Sequence, residues 1–95
     1  LGDQVLRSGT SILANYVEGQ SSSTKKELIN FLTIALKSCN ESKLWISLLK
    51  DTHRINKETA DSFKNELMEF SRILASGILT MKRREIEQKN LKSKI

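Results

Sequence analysis

The chain has 95 residues and a formal net charge of +5, and its single cysteine and single histidine, Cys39 and His53, exclude an intrachain disulfide and a Cys/His zinc cluster. No apolar run approaches the roughly 18 to 20 residues that span a bilayer, and the N-terminal LGDQVLRSGT lacks the basic and apolar regions of a secretory signal. The expectation is one small cytoplasmic domain with no membrane association, whose core is barely sufficient without oligomerisation. Proline is absent and glycine occurs only at positions 2, 9, 19 and 77, which points to an all-α chain.

A first helix is predicted over about Asp3 to Glu18, with Val5, Gly9, Ile12 and Tyr16 on one side and Leu6 and Leu13 beside them. Gly9 lies within that apolar side and costs about 1 kcal/mol against alanine, which predicts close approach of a neighbouring helix there. The opposite face carries Arg7, Ser11 and Glu18. The chain begins within a helical pattern and without methionine, so an additional N-terminal piece is expected in the native protein.

Gly19 to Ser23 is small and polar and reads as a loop, after which Thr24 and Glu27 have the spacing of a capping box. The second helix then runs to about Lys50, with a seam of Leu28, Leu32, Ala35, Cys39, Ser42, Ile46 and Leu49. A separate stripe of Ile34, Glu41, Trp45 and Leu48 makes this helix apolar on more than one side, so it needs two sets of neighbours. Ile34, Trp45 and Leu48 are accordingly the expected oligomer contact. Glu41, flanked by large apolar residues, requires a partner, and Arg7 is the candidate for a structural ion pair that fixes register.

After a short polar connection at Asp51 to Arg54, Asn56 caps a third helix, with Ile55 stapled to Ala60. Its seam is Ala60, Phe63, Leu67, Phe70, Leu74, Gly77 and Met81, joined by Ile78. Short connections make consecutive long helices antiparallel, an up-down bundle over residues 1–81. Residues 82–95 form a basic end that reads as a frayed helix or arm. Up to Met81 there are ten basic and nine acidic residues, whereas from Lys82 onward there are six and two. Lys82, Arg83, Arg84, Lys89, Lys92 and Lys94 are therefore the candidate nucleic-acid contacts, against the simpler reading in which cations at a helix end complement the macrodipole.

Catalytic arrangements are missing. Cys39 lies mid-helix and His53 just beyond the end of that helix, about 20 Å away, so they cannot form a nucleophilic dyad. Phosphate-binding glycine loops, HExxH spacing and serine elbows do not occur, and no cofactor is expected. Arg7, Glu18 and Glu41 are the only titratable groups that could converge on a polar pocket, so a non-enzymatic role is the expectation.

The segments LRSGTSILANYVEGQ and TKKELINFLTIALKSCNESKLWISLL resemble the four-helix-bundle family of ribosomal-RNA intervening-sequence proteins, which includes the accessory variability determinant of diversity-generating retroelements. The resemblance is carried by Leu6 to Ile12, Ala14-Asn15, Glu18, Ile34 to Lys37, Glu41, Trp45 and Leu48-Leu49. Leu13 and Cys39 depart from the family's usual glycine and alanine, and the family's first helix has no counterpart here. Such a missing helix would account for the surplus stripe on the second helix, as would an intersubunit contact. The resemblance implies a homo-oligomer, often a pentameric ring, with a basic surface. For the retroelement members it implies engagement of nucleic acid and a reverse transcriptase. An accessory protein that binds nucleic acid, RNA foremost, is the expectation, and a protein-interaction module without nucleic-acid binding is its alternative.

Overall fold

The computed structural model describes residues 2–94 and consists, over those residues, of three α-helices without strands: α1 (Gly2–Gln20), α2 (Lys25–Asp51) and α3 (Lys57–Lys94). Each boundary has a local cause. The Glu27 amide donates to Thr24 Oγ1 at 3.1 Å, and the Glu27 carboxylate reaches back to the Ser23 amide at 3.3 Å, one residue before the cap. One orphan donor of the first turn of α2 and the Ser23 amide before it are thereby satisfied. Asn56 does the same for α3, where the Thr59 amide donates to Asn56 Oδ1 at 2.7 Å.

The end of α2 is a left-handed stop. The His53 amide donates to the Lys50 carbonyl at 3.0 Å, and the Arg54 amide to the Leu49 carbonyl at 2.9 Å. This reversed pair of bonds needs a positive φ at the residue past the cap, and His53 supplies it at 58°. A residue without a Cβ is favoured at such a position.

The helices pack in chain order. α1 and α3 each lie along α2, and their backbones do not approach one another. Ile12, Leu32, Ala35, Cys39, Leu74 and Ile78 form the buried core, with Leu28, Ile29, Leu36, Leu67 and Phe70 packed around it. The predicted seams of α2 and α3 are therefore largely the buried ones. Serines sit inside as well, and they manage their hydroxyls differently. Ser8 Oγ bonds the Gln4 carbonyl of its own helix at 2.6 Å, and Ser38 Oγ meets Ser11 Oγ at 2.9 Å across α1 and α2. Ser42 Oγ is buried without a partner.

Packing of α1 and α3 on α2 with their backbones apart leaves a corner between them open. The resulting groove, of about 630 Å³, has Ser42 and Ile46 on its floor and Val5, Leu13, Tyr16, Phe63 and Phe70 on its walls. Much of the predicted α1 seam faces this space, so Leu13 remains 64% exposed and Phe63 49%. The glycine expectation is corrected here. A Cβ at Gly9 would meet nothing within 4 Å, because Gly9 faces the groove, whereas one at Gly19 would lie 3.3 Å from Leu28 Cδ1 and 3.4 Å from Phe31 Cβ. Close approach of helices is made by the glycine at the α1–α2 turn.

Candidate nucleic-acid interface

Helix α3 is the feature that positions the basic residues. Its 38 residues extend about 57 Å, against about 40 Å for the 27 residues of α2. Gly77 stands opposite Leu32, where a Cβ would lie 3.6 Å from Leu32 Cδ1. Seven residues further along each antiparallel helix, about 10 Å, Arg84 reaches the level of Lys25 at the start of α2. Beyond that level α3 continues to Lys94 with nothing beside it, for about 15 Å. The chain extends 62 Å along its long axis and 19 × 14 Å across, as this overhang requires.

Lys82, Arg83 and Arg84 are exposed beside the first turn of α2, and Lys89 and Lys92 are exposed on the part of α3 that projects beyond it. The side chain of Lys94 lies outside the described residues. The basic segment continues α3, which passes through Met81 and Lys82 without a break. The apolar period fades there, but lysine, arginine, glutamate, glutamine and leucine retain high helix propensity, and the helix propagates on that alone. The macrodipole reading fails for Lys82, Arg83 and Arg84. The field of a helix end decays within its last turn, and these residues precede Lys94 by about three turns.

The loop side of the same end adds charge that the tail reading omitted. Lys26 is exposed and Lys25 half-buried at the start of α2. Only the register between Gly77 and Leu32 shows that they share a level with Arg84. A second basic cluster was also missed by the sequence reading: Lys50, His53, Arg54 and Lys57 border a cleft of about 490 Å³ at the α2–α3 turn, the opposite end of the bundle. The density of basic residues around the predicted turn was its signal.

The other candidate residues fall as follows. Arg7 and Glu41 are both exposed, and the hydrogen bond between α1 and α2 is instead Ser11 with Ser38. Asn15 Nδ2 supports it, donating to the Ser11 carbonyl at 2.8 Å and to Ser11 Oγ at 3.2 Å. Glu18 is exposed as well, on the same face of α1 as Arg7.

The stripe of Ile34, Trp45 and Leu48 does not line the open groove, whose floor is Ser42 and Ile46. A helix filling that corner would leave it uncovered. Ile34 is 38% exposed and Leu44, one turn from Leu48, is 56% exposed, while Trp45 and Leu48 are half-buried. Cys39 is fully buried, and burial raises its thiol pKa above the ordinary 9.0 despite a hydrogen bond from Ser71 and the charge of Lys43. His53 is exposed in the turn.

Among the described residues no group of three His, Cys, Asp or Glu side chains is placed to hold a metal, and no helix is long and apolar enough to cross a membrane. The geometry offers a basic helical projection at one end, a smaller basic cleft at the other, and an apolar groove between α1 and α3.

No curated protein matches the chain. Among solved structures, the chain is similar to a protein of unknown function from the S23 ribosomal protein family of Bacteroides thetaiotaomicron VPI-5482. The two are 42% identical with a TM-score of 0.78, over 80% of this chain and 70% of that one. Residues 1–76 match the family described as 23S rRNA-intervening sequence protein, and the chain belongs to that family.

Proposed function

We propose that this chain is a non-enzymatic, oligomeric accessory protein that binds nucleic acid, RNA foremost, in the cytoplasm. The observation that carries the reading is the basic end of α3, where Lys82, Arg83, Arg84, Lys89 and Lys92 are all exposed and the helix runs on past the start of α2. Lysine and arginine on an unpartnered helix contact phosphates without base specificity, and the bundle serves as their scaffold. Membership of a family named for rRNA intervening sequences supports an RNA context. The resemblance to retroelement accessory proteins adds a reverse transcriptase as a protein partner.

Two further elements belong to this reading. The open corner between α1 and α3 is the place of a fourth helix, since the walls Val5, Leu13, Tyr16, Phe63 and Phe70 are apolar and antiparallel helices close bundles as squares. The Ile34, Trp45 and Leu48 stripe is the contact between copies, a pentameric ring being the arrangement that the resemblance implies. The same apolar groove also favours the second reading, a protein-interaction module whose partner helix lies in it.

Fluorescence anisotropy at physiological salt separates the readings. The full chain is compared with a variant in which Lys82, Arg83, Arg84, Lys89 and Lys92 are replaced by glutamine, which keeps helix propensity. The proposal expects RNA binding by the former and its loss in the latter. No binding by either supports the protein-interaction module.

A further inference from the structure

The side of α3 that packs on α2 continues past the residue at which α2 begins. Leu74 and Ile78 on that side are core residues, 2% and 8% exposed. Lys92 follows Leu74 by eighteen residues, five full turns, and Lys89 follows Ile78 by eleven, three turns and about 20°. Both exposed lysines therefore point as the core residues do, toward the axis of α2, at a level where α2 is no longer present. Lys82, exposed beside the first turn of α2, is about 40° round from Ile78 and opens the same row, which runs about 15 Å to Lys92. The carboxylates of this end do not share that row. Glu87 follows Ile78 by nine residues and lies on the opposite side of α3. Glu85 is on the α2 side of α3 and Lys25 on the α3 side of α2, both half-buried at the apex of the corner between the helices, so their opposite charges offset there. Glu27 lies on the side of α2 away from α3, with its carboxylate at the Ser23 amide. The net charge of the corner is that of Lys82, Lys89 and Lys92, while Arg83, nine residues after Leu74, points away from it.

From this arrangement we infer that the corner between the overhang of α3, as its wall, and the α1–α2 loop, as its floor, seats the sugar-phosphate backbone of one nucleic-acid strand, RNA foremost. The inference rests on nucleic-acid binding by the basic end of α3 and narrows it to one side of that helix. The row of lysines is as long as about four phosphates at 3.4 Å of rise each. Lysine ammonium groups act as point charges on phosphates and lack the planar fork that reads a base edge. No aromatic residue occurs after Phe70, so the overhang has no platform on which an unpaired base stacks. The strand is held by its phosphates alone, whether it is single or one of the two strands of a duplex.

The test moves the charge without changing its amount. In the full chain, Lys89→Gln and Lys92→Gln are combined with Asn90→Lys and Leu91→Lys, which keeps the net charge and good helix formers but places both cations about 100° or more from Lys89 and Lys92. Binding of an RNA of unrelated sequence, as a single strand and as a duplex, is read by fluorescence anisotropy across a salt series, and circular dichroism checks the helix. The slope of log affinity against log salt is expected to lose about 1.4 to 1.8 in the relocated variant, about 0.7 to 0.9 for each displaced lysine. Lys82→Gln should lose about 0.7 to 0.9, whereas Arg83→Gln should leave slope and affinity as in the parent chain. The latter pair decides the matter even if relocation melts the overhang, because both residues lie beside α2. Unchanged binding by a helical relocated variant would overturn the corner, since the position of the charge would then be immaterial. So would a loss in Arg83→Gln as large as that in Lys82→Gln. A parent chain that binds neither probe removes nucleic-acid binding itself, whereas binding that ignores the side of the helix removes the corner alone.

Discussion

The rings of Tyr16 on α1 and Phe70 on α3 meet at a centroid distance of 6.1 Å and an interplanar angle of 56°, joining two helices whose backbones otherwise stay apart. The pair closes one stretch of the groove and sets how far α1 and α3 can splay. Tilted aromatic pairs contribute about 0.5 to 1.5 kcal/mol beyond area burial. Tyr16 is 37% exposed, which places this pair near the lower bound. A double-mutant cycle of Tyr16→Ala and Phe70→Ala in urea should therefore give a coupling of about 0.5 kcal/mol. Zero coupling would mean that the rings only share a surface.

His53 holds a left-handed backbone at φ 58°, where a Cβ is unfavourable. Its side chain is exposed. His53→Gly is expected to raise stability by about 1 kcal/mol, since the Schellman bonds of His53 and Arg54 stay intact. A decrease in the urea midpoint would show that the imidazole has a structural role in the turn.

Gly9 and Gly19 are both within α1, but only Gly19 is crowded. Gly9→Ala should gain close to the full helix-propensity difference, about 1 kcal/mol. Gly19→Ala should gain less or lose stability, because the new methyl presses on Leu28 and Phe31. Equal effects would indicate that α2 moves aside freely at the turn.

The Ile34, Trp45 and Leu48 stripe is the proposed contact between copies. Light scattering of the full chain at micromolar concentration should show an oligomer, and Trp45→Glu should shift the mass toward monomer while the circular dichroism remains helical. A monomeric parent chain that stays soluble would contradict the contact.

Much of this fold is visible in the sequence because period and caps act locally. Thr24 with Glu27, Asn56, and the buried positions Leu32, Ala35, Cys39, Ser42 and Ile46 on α2 all follow from spacing. The failures have a common origin, namely relations between helices. Arg7 and Glu41 were matched by chemistry, whereas the side-chain bond that joins α1 to α2 is between Ser11 and Ser38, two hydroxyls that period alone does not single out. Val5, Gly9 and Tyr16 look like core by period, but they line the groove between α1 and α3, where the backbones stay apart and Tyr16 reaches Phe70 ring to ring. The basic residues were visible as a charge run. Their placement on a continued rigid helix was not, because the apolar period stops at Met81 while helix propensity does not.

Whether the basic end of α3 contacts phosphates is read from the salt dependence of nucleic-acid affinity. Each neutralised phosphate contributes about −0.9 to the slope of log affinity against log salt on duplex and about −0.7 on single strands. With five exposed cations on the basic end of α3, the full chain should show a slope of about −3 to −5, and the variant carrying glutamine at Lys82, Arg83, Arg84, Lys89 and Lys92 a slope near zero. An unchanged slope in that variant would move the interface to Lys25 and Lys26 or to the Lys50, Arg54 and Lys57 cleft, and would contradict the account.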